Sequence, residues 1–153
     1  MDSVSPQARS RMMAAVRGRD TTPEMVVRSM LHRLGLRFRL HDRSLPGTPD
    51  IVLAKHATVV LVHGCFWHGH ACARGKAPSS RVEFWNTKLQ KNRARDRRQV
   101  RALRSLGWRV LTVWECETIK KDRLVSRLAM AFGSENITAD RRSLRSRKSE
   151  AHL

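Results

Sequence analysis

The sequence predicts an α/β fold in which a mixed β-sheet is flanked by helices. The spacing of apolar residues changes along the chain between a helical period of about 3.6 residues and the strand period of two. Two short runs rich in Val, Ile and Leu stand close together, as central strands do. The order helix, three strands, helix, strand, helix then describes helices packed on the faces of one sheet.

The first predicted helices carry clear start signals. Ser5-Pro6 can start a short basic helix through Val16, so residues 1–20 are expected to form a basic N-terminal arm. Thr21-Thr22-Pro23-Glu24 is a second start signal, followed by apolar residues at helical spacing and ended by a glycine. We therefore expect a helix at 22–34.

Three strands are predicted next, because the period of the apolar residues changes to two. Alternating apolar and basic residues at 36–41 indicate a half-buried strand, and a turn with Pro and Gly follows at 44–48. The apolar runs 51–54 and 58–62 suit adjacent central strands. This region is therefore expected to supply most of the sheet.

The second half of the chain begins with an irregular segment and continues as a long basic helix. Residues 63–78 show no period, residues 108–114 predict a strand, and residues 119–132 predict a last helix. We expect one domain at 21–133 and a basic, disordered tail at 134–153, where apolar residues are too few for a core. The basic helix is expected at 81–106, with a buried stripe of Phe84, Leu89, Val100, Leu103 and Leu106.

Charge indicates a polyanionic partner. The 153 residues include 31 Lys and Arg against 13 Asp and Glu, a formal net charge of +18. Nucleic acid is favoured over a membrane, because the chain has no long apolar span and residues 1–6 lack a signal-peptide pattern. We expect an intracellular protein and, absent any sign of a second copy, a monomer.

Three cysteines and one histidine have the spacing of a zinc site. Cys65, His70 and Cys72 fall in one irregular loop, and Cys116 follows a strand that could return beside it. Three thiolates and an imidazole complete a tetrahedral zinc shell and leave no position for water, so the predicted role is structural. The alternative is that these are separate small buried residues.

A candidate catalytic cluster lies at the ends of the two central strands. Pairing of these strands would bring the Asp50 carboxylate near the Val62 carbonyl, and such oxygen ligands suit magnesium. His63 and His68 could transfer protons, and Glu24 could approach from the preceding helix. Taken singly, each also has an ordinary interpretation as a turn, cap or loop residue.

Aromatic residues stand among the basic ones. Phe66, Trp67 and Trp85 could be inserted between base pairs, or they could be core residues. Phe84 and the two tryptophans of the last strand, Trp108 and Trp114, are expected in the core. The basic helix would supply phosphate contacts through Lys88, Lys91, Arg93, Arg95, Arg97 and Arg98.

Several spaced motifs resemble one known family, the very-short-patch repair (Vsr) endonucleases. The likeness covers about residues 5–132. It implies a restriction-endonuclease-like fold of the PD-(D/E)xK type. The motifs are Val62 to Cys72, Leu45 to Asp50, Glu83-Phe84-Trp85, Lys91 to Arg98, and Gly107 to Cys116.

The resemblance also implies a reaction. The family nicks one strand of duplex DNA 5′ to the T of a T:G mismatch, using magnesium for hydrolysis and zinc for structure. It further implies a bacterial, cytoplasmic, nucleoid-associated protein that works with mismatch-repair proteins and a cytosine methyltransferase.

Residue roles carried over from the family are as follows. Asp50 and the Val62 carbonyl resemble the family's magnesium ligands. The remaining catalytic residues of the family are matched by His63, His68 and Glu24. The aromatics resemble intercalating residues, and Met13 resembles a contact from the minor groove. The zinc ligands match Cys65, His70, Cys72 and Cys116.

The chain departs from the family pattern at two places. Val62 replaces a more usual Thr, which matters little where only the carbonyl binds metal. His68-Gly69-His70-Ala71 stands where some members have four histidines. Three other functions remain open on the sequence: a non-catalytic zinc-stabilised module that binds mismatches, an RNA-binding protein with stacking tryptophans, and a nickase with another target.

Overall fold

The computed structural model describes residues 20–133. A mixed sheet of four strands is found among them, as the sequence predicts. The helices are α1 (Thr22–Arg33), α2 (Val82–Ser105), α3 (Glu115–Ile119) and α4 (Lys121–Phe132). The strands are β1 (Arg39–Leu40), β2 (Ile51–Leu53), β3 (Thr58–His63) and β4 (Arg109–Trp114).

The sheet has the order β1-β2-β3-β4. The pairs β1–β2 and β2–β3 are antiparallel. The pair β3–β4 is parallel, and these two strands are joined by a crossover that contains α2. Val52 lies opposite Val59, and Val59 is beside Val110. Side chains alternate between the faces of a strand, so His63 and Trp114 share the face of Val59 and Val110.

This face of the sheet is covered by α2. Leu103 of α2 packs against Val52 and Val59, and Trp108 and Val110 lie at the edge of the same cluster. All three central members are fully buried. Because α2 lies over the face that ends in His63, its middle turns reach the ends of the central strands.

The predicted strand at 36–41 is much shorter than expected. Only Arg39 and Leu40 pair, at the edge of the sheet, with Val52 and Ile51. Both are exposed, so alternation of residue types did not produce a half-buried strand here. The remaining predicted strands and α1 agree with the structure to within two residues.

The predicted apolar stripe of the basic helix is partly wrong. Leu89 and Leu103 are buried, but Phe84 is 46% exposed and Leu106 is 61% exposed. Trp85 is buried in their place. The helix begins at Val82, and its first turn faces the loop that carries Phe66 and Trp67. The side chain of this turn that points into the protein is therefore that of residue 85.

The helix predicted at 119–132 is found as α4, which begins two residues later, at Lys121. The short helix α3, which precedes it, was not predicted, and the chain divides into two compact units after α3. Within the second unit, α4 buries Leu124, Leu128 and Phe132 at four-residue spacing. No helix between residues 20 and 133 is long and apolar enough to cross a membrane.

Candidate active site and metal-ligand cluster

Asp50 lies immediately before β2 and contacts the main chain of β3. The Val62 N–H donates a hydrogen bond to Asp50 Oδ2 at 2.8 Å. Within a strand, the N–H and C=O of one residue point toward the same neighbour, so the Val62 carbonyl is on the side of Asp50. Strand pairing thus brings the two predicted residues together, although the observed contact is made by the amide group.

The protonation of Asp50 is controlled by its surroundings. Burial raises the pKa of Asp50 from 3.8 to about 6, while the Val62 hydrogen bond lowers it and the charge of Glu24 raises it. His41 and His68 lower the pKa of Asp50 through their charge. Glu24, His41 and His68 are therefore all close enough to act on this carboxyl group.

Glu24 is the third residue of α1 and is almost fully buried. Its N–H donates to the Thr21 hydroxyl, which caps the helix. Its carboxylate accepts hydrogen bonds from the Asp20 N–H at 2.9 Å and from Arg28, and His41 Nε2 lies 3.1 Å from Oε1. The Glu24 carboxylate is thus held in place from several sides, close enough to Asp50 for its charge to act on that carboxyl group.

His63, His68 and Asp96 form a second polar group on the face covered by α2. The two imidazole rings are stacked, with centroids 3.8 Å apart and an interplanar angle of 3°. His68 Nδ1 lies 2.6 Å from Asp96 Oδ2 of α2. Burial, and then the charge of His68, lower the pKa of His63 to about 4, so His63 is neutral at pH 7.

The four predicted zinc ligands are brought together. Their ligand atoms all lie within 4.8 Å of one another, and Cys116 Sγ is 3.6 Å from His70 Nδ1. The Cys116 N–H donates to Cys65 Sγ at 3.3 Å, which partly offsets the burial that raises the pKa of the Cys65 thiol to about 12. None of the cysteines forms a disulfide. The donor set and its compactness fit zinc.

The loop that carries these ligands is closed by main-chain hydrogen bonds. The His70 N–H donates to Cys65 O, and the Gly75 N–H donates to Cys72 O. A Cβ at Gly75 would approach His70 O to 1.9 Å, so only glycine fits this turn. The loop is tied to α2 by Asn92, which donates to Trp67 O at 2.8 Å.

The aromatic residues form one cluster between this loop and the start of α2. Phe66 lies edge-on to Trp67 and to Trp85, with ring centroids 5.1 and 5.2 Å apart. Phe66 and Trp67 are half-buried, whereas Trp85 is 4% exposed and its Nε1 has no hydrogen-bond partner among residues 20–133. Phe84 stands on the outside of the cluster, beneath the Arg81 guanidinium at 4.4 Å.

Sequence reasoning missed three charged residues of the site. Asp96 carried a signal, because it is the only acidic residue between Glu83 and Glu115 in a strongly basic segment. Arg28 also carried a signal, because it stands four residues after Glu24 in α1, where an ion pair is expected. His41 carried none, since its contact with Glu24 depends on the position of α1 beside the first strand. Met13 and the remaining N-terminal arm lie outside the described residues, as does the tail.

The chain was compared with protein families and with individual sequences. Residues 1–74 match the family model described as DNA mismatch endonuclease Vsr. The chain is 51% identical over 127 residues to the type II nicking enzyme V.XorIIP of Xanthomonas oryzae, which covers 83% of this chain and 93% of that protein. It is 48% identical over 116 residues to DNA mismatch endonuclease Vsr of Escherichia coli, and the match covers 76% of this chain and 74% of that protein.

A solved structure supports the fold. The catalytic domain of the homing endonuclease I-Bth0305I superposes with a TM-score of 0.50 at 21% identity, covering 74% of this chain and 95% of that one. The fold class predicted from the sequence is confirmed. An enzyme is favoured over the non-catalytic and RNA-binding alternatives, because the related proteins are nucleases. The chain therefore belongs to the Vsr family and is a DNA endonuclease.

Proposed function

We propose that this endonuclease nicks one strand of duplex DNA 5′ to the T of a T:G mismatch in a magnesium-dependent hydrolysis. The observation that carries the proposal is the hydrogen bond between Asp50 and Val62 at the strand ends. It places a carboxylate and a strand edge together beside Glu24 and the histidine pair, which supports a site for phosphodiester chemistry.

Magnesium would be held by the Asp50 carboxylate and the Val62 carbonyl. Both are hard oxygen donors, and only one Asp50 oxygen is engaged by the Val62 N–H, so the donor set fits this ion. Bound there, magnesium would supply positive charge beside the scissile phosphate. Because the pKa of Asp50 is about 6, the carboxylate is ionised and available at neutral pH.

The proton transfer is assigned to His68. Its Nδ1 is held by Asp96, which leaves Nε2 as the atom that accepts a proton from the attacking water. As water attacks phosphorus, the P–O bond to the leaving nucleotide breaks, and the leaving oxygen takes a proton from solvent water. His63, which is neutral, and Glu24, which is held by Arg28, would position the water.

The remaining assigned residues bind DNA or zinc. Phe66 and Trp67 would be inserted beside the mismatch, with the buried Trp85 packed behind them and Met13 contacting the minor groove. Zinc would be held by Cys65, His70, Cys72 and Cys116 and would stabilise the loop that presents Phe66 and Trp67. The proposed setting is the bacterial cytoplasm at the nucleoid, with a cytosine methyltransferase and mismatch-repair proteins as partners.

Strand-specific cleavage tests the proposal. An end-labelled duplex with one T:G pair in a cytosine-methylation context is incubated with and without magnesium, beside a T:A control, using wild type and Asp50→Asn. The expected result is a nick 5′ to the mispaired T that requires both magnesium and Asp50. Equal nicking by Asp50→Asn, or nicking without magnesium, would refute the assignment.

A second candidate is a nickase with a different target. It is favoured by the relatives named as type II nicking enzymes, including V.NmeAIP of Neisseria meningitidis, which is 42% identical over 120 residues. The same cleavage assay distinguishes the two candidates when the mismatch and its flanking bases are varied. Faster nicking of a matched duplex than of every T:G duplex would establish this alternative.

A further inference from the structure

Two rows of basic residues run along opposite flanks of α2. Successive residues of an α-helix are about 100° apart, so the two rows are separated by the inward stripe that contains Leu89 and Leu103. All eight residues are exposed. The first row consists of Lys88, Lys91, Arg95 and Arg98, and the second row consists of Arg93, Arg97, Arg101 and Arg104.

The first row lies on the side of the turn that leads to Asp50. Gln99 stands between this row and the inward stripe, and its side-chain amide donates to Gly47 O at 3.2 Å. The turn that contains Gly47 continues directly into Asp50. The first row is therefore placed to contact DNA that approaches the carboxylate.

The second row borders a groove on the other side of α2. A cavity of about 590 Å³ lies there, with Thr112 and Trp114 of β4 as its opposite wall. One end of this cavity is formed by His63 and His68 of the proposed active site. The groove therefore starts at the catalytic histidines and continues along the helix as far as Arg104.

Three arginines of the second row have no other role in the described structure. Arg93 donates to Gly69 O and holds the loop. Arg97, Arg101 and Arg104 form neither an ion pair nor a hydrogen bond with residues 20–133. Three arginines without acidic partners along one groove are complementary to an anionic chain.

The length of this row suits a nucleic-acid backbone. Arg97 and Arg104 are seven residues apart, which corresponds to about 10 Å along the helix axis. Neighbouring phosphates of one B-DNA strand rise about 3.4 Å along the duplex axis and are about twice as far apart along the backbone itself, so the row spans about two phosphates. A single bound anion would occupy only part of it.

We propose that the second row binds the sugar-phosphate backbone of the nicked strand next to the scissile phosphate. The groove between α2 and β4 is then the path of that strand away from the active site. We assign the groove to the nicked strand and not to its complement, because the groove opens onto His63 and His68. This inference rests on the proposed function only for the position of the scissile phosphate.

Salt dependence tests whether the row binds DNA at all. The affinity of Arg101→Gln/Arg104→Gln for a T:G duplex is measured from low to physiological salt, beside the matched variant Arg33→Gln/Arg37→Gln. Loss of two phosphate contacts should reduce the slope of log K against log salt by about 1.8. The control removes equal charge from the end of α1 and the residues after it, and it should retain the wild-type slope.

Neutral phosphates locate the contact. Methylphosphonates are placed one at a time on either strand, within four nucleotides of the scissile phosphate. Substitution at a contacted phosphate should weaken wild-type binding several-fold but leave Arg101→Gln/Arg104→Gln unchanged. Such coupling on the nicked strand supports the proposal, whereas coupling only on the other strand, or none, overturns it.

The two proposals fail separately. If wild type binds the T:G duplex without nicking it, the proposed function fails, while the salt slope and the methylphosphonate coupling still decide the role of the second row. If both double variants have the wild-type slope, the row does not contact DNA. An acidic protein would then be the occupant to test.

Discussion

At the scale of single residues, the raised pKa of Asp50 predicts how stability depends on pH. The Asp50 contribution to the stability of the zinc-loaded, magnesium-free protein should fall as pH rises from about 4 to about 6, because the folded state holds the Asp50 proton more tightly than the unfolded state does. The lowered pKa of His63 acts in the opposite direction over the same range, so the Asp50 contribution is measured against a variant that lacks this carboxyl group. The rise of the pKa from 3.8 to about 6 corresponds to about 3 kcal/mol.

Denaturant unfolding at pH 4.5 and pH 7 measures this effect. Asp50→Asn should shift the stability difference between the two pH values in favour of pH 7, and Asp122→Asn, at an exposed position of α4, should leave that difference as in wild type. An unchanged difference in Asp50→Asn would show that burial of this carboxyl group does not control the pH dependence. Magnesium binding should also release a proton below pH 6, since the ligand is the carboxylate.

Asp96 is predicted to orient His68. Asp96→Asn should lower the single-turnover nicking rate by about 100-fold or more, because the amide can stabilise the wrong tautomer of the imidazole. Zinc content and unfolding temperature should remain close to wild type. Glu83→Gln, an exposed acid on the same helix, is the matched control and should nick normally. A normal rate in Asp96→Asn would remove this residue from the mechanism.

The residues of the site were predictable to different degrees. Residue types and local spacing identified the zinc ligands, and strand pairing identified Asp50 with Val62. Asp96 is 28 positions from His68, so its role depends on the packing of α2 and not on a local pattern. Burial of Trp85 was also unpredictable, because it depends on the rotation of α2 about its axis.

At the scale of elements, the loop between β3 and α2 is predicted to depend on zinc. Cys72→Ser should lose bound zinc and several kcal/mol of stability, because residues 64–78 contain few buried apolar side chains. Ala71→Ser adds a hydroxyl at a neighbouring exposed position and should keep both. Zinc released from purified protein and thermal unfolding provide the measurements. Full zinc content in Cys72→Ser would contradict the four-ligand site.

The secondary structure was largely predictable because most elements bury a regular apolar stripe. The exceptions are elements that tertiary contacts determine. Only two residues of the first predicted strand pair, because their partner β2 is itself only three residues long. The short helix α3 was not predicted, because five residues are too few for a helical period of apolar residues to be recognised.

At the scale of the whole molecule, the positive charge and the aromatic cluster have separate functions. The two rows on α2 are proposed to contact phosphates, which would supply affinity without distinguishing sequences. Selectivity for a mismatch must come from the cost of opening the base stack, and that cost is lower where pairing is defective. The half-buried Phe66 and Trp67 are the side chains placed to enter the stack.

This division predicts the effect of removing the wedge. A duplex with 2-aminopurine beside the T:G pair should become more fluorescent when wild type binds, because the neighbouring base is unstacked. Phe66→Ala/Trp67→Ala should bind without this increase and should lose most of its preference for T:G over T:A. Phe84→Ala, which changes the exposed rim of the same cluster, should keep both. A full fluorescence increase in the double variant would mean that the base stack is opened by other residues.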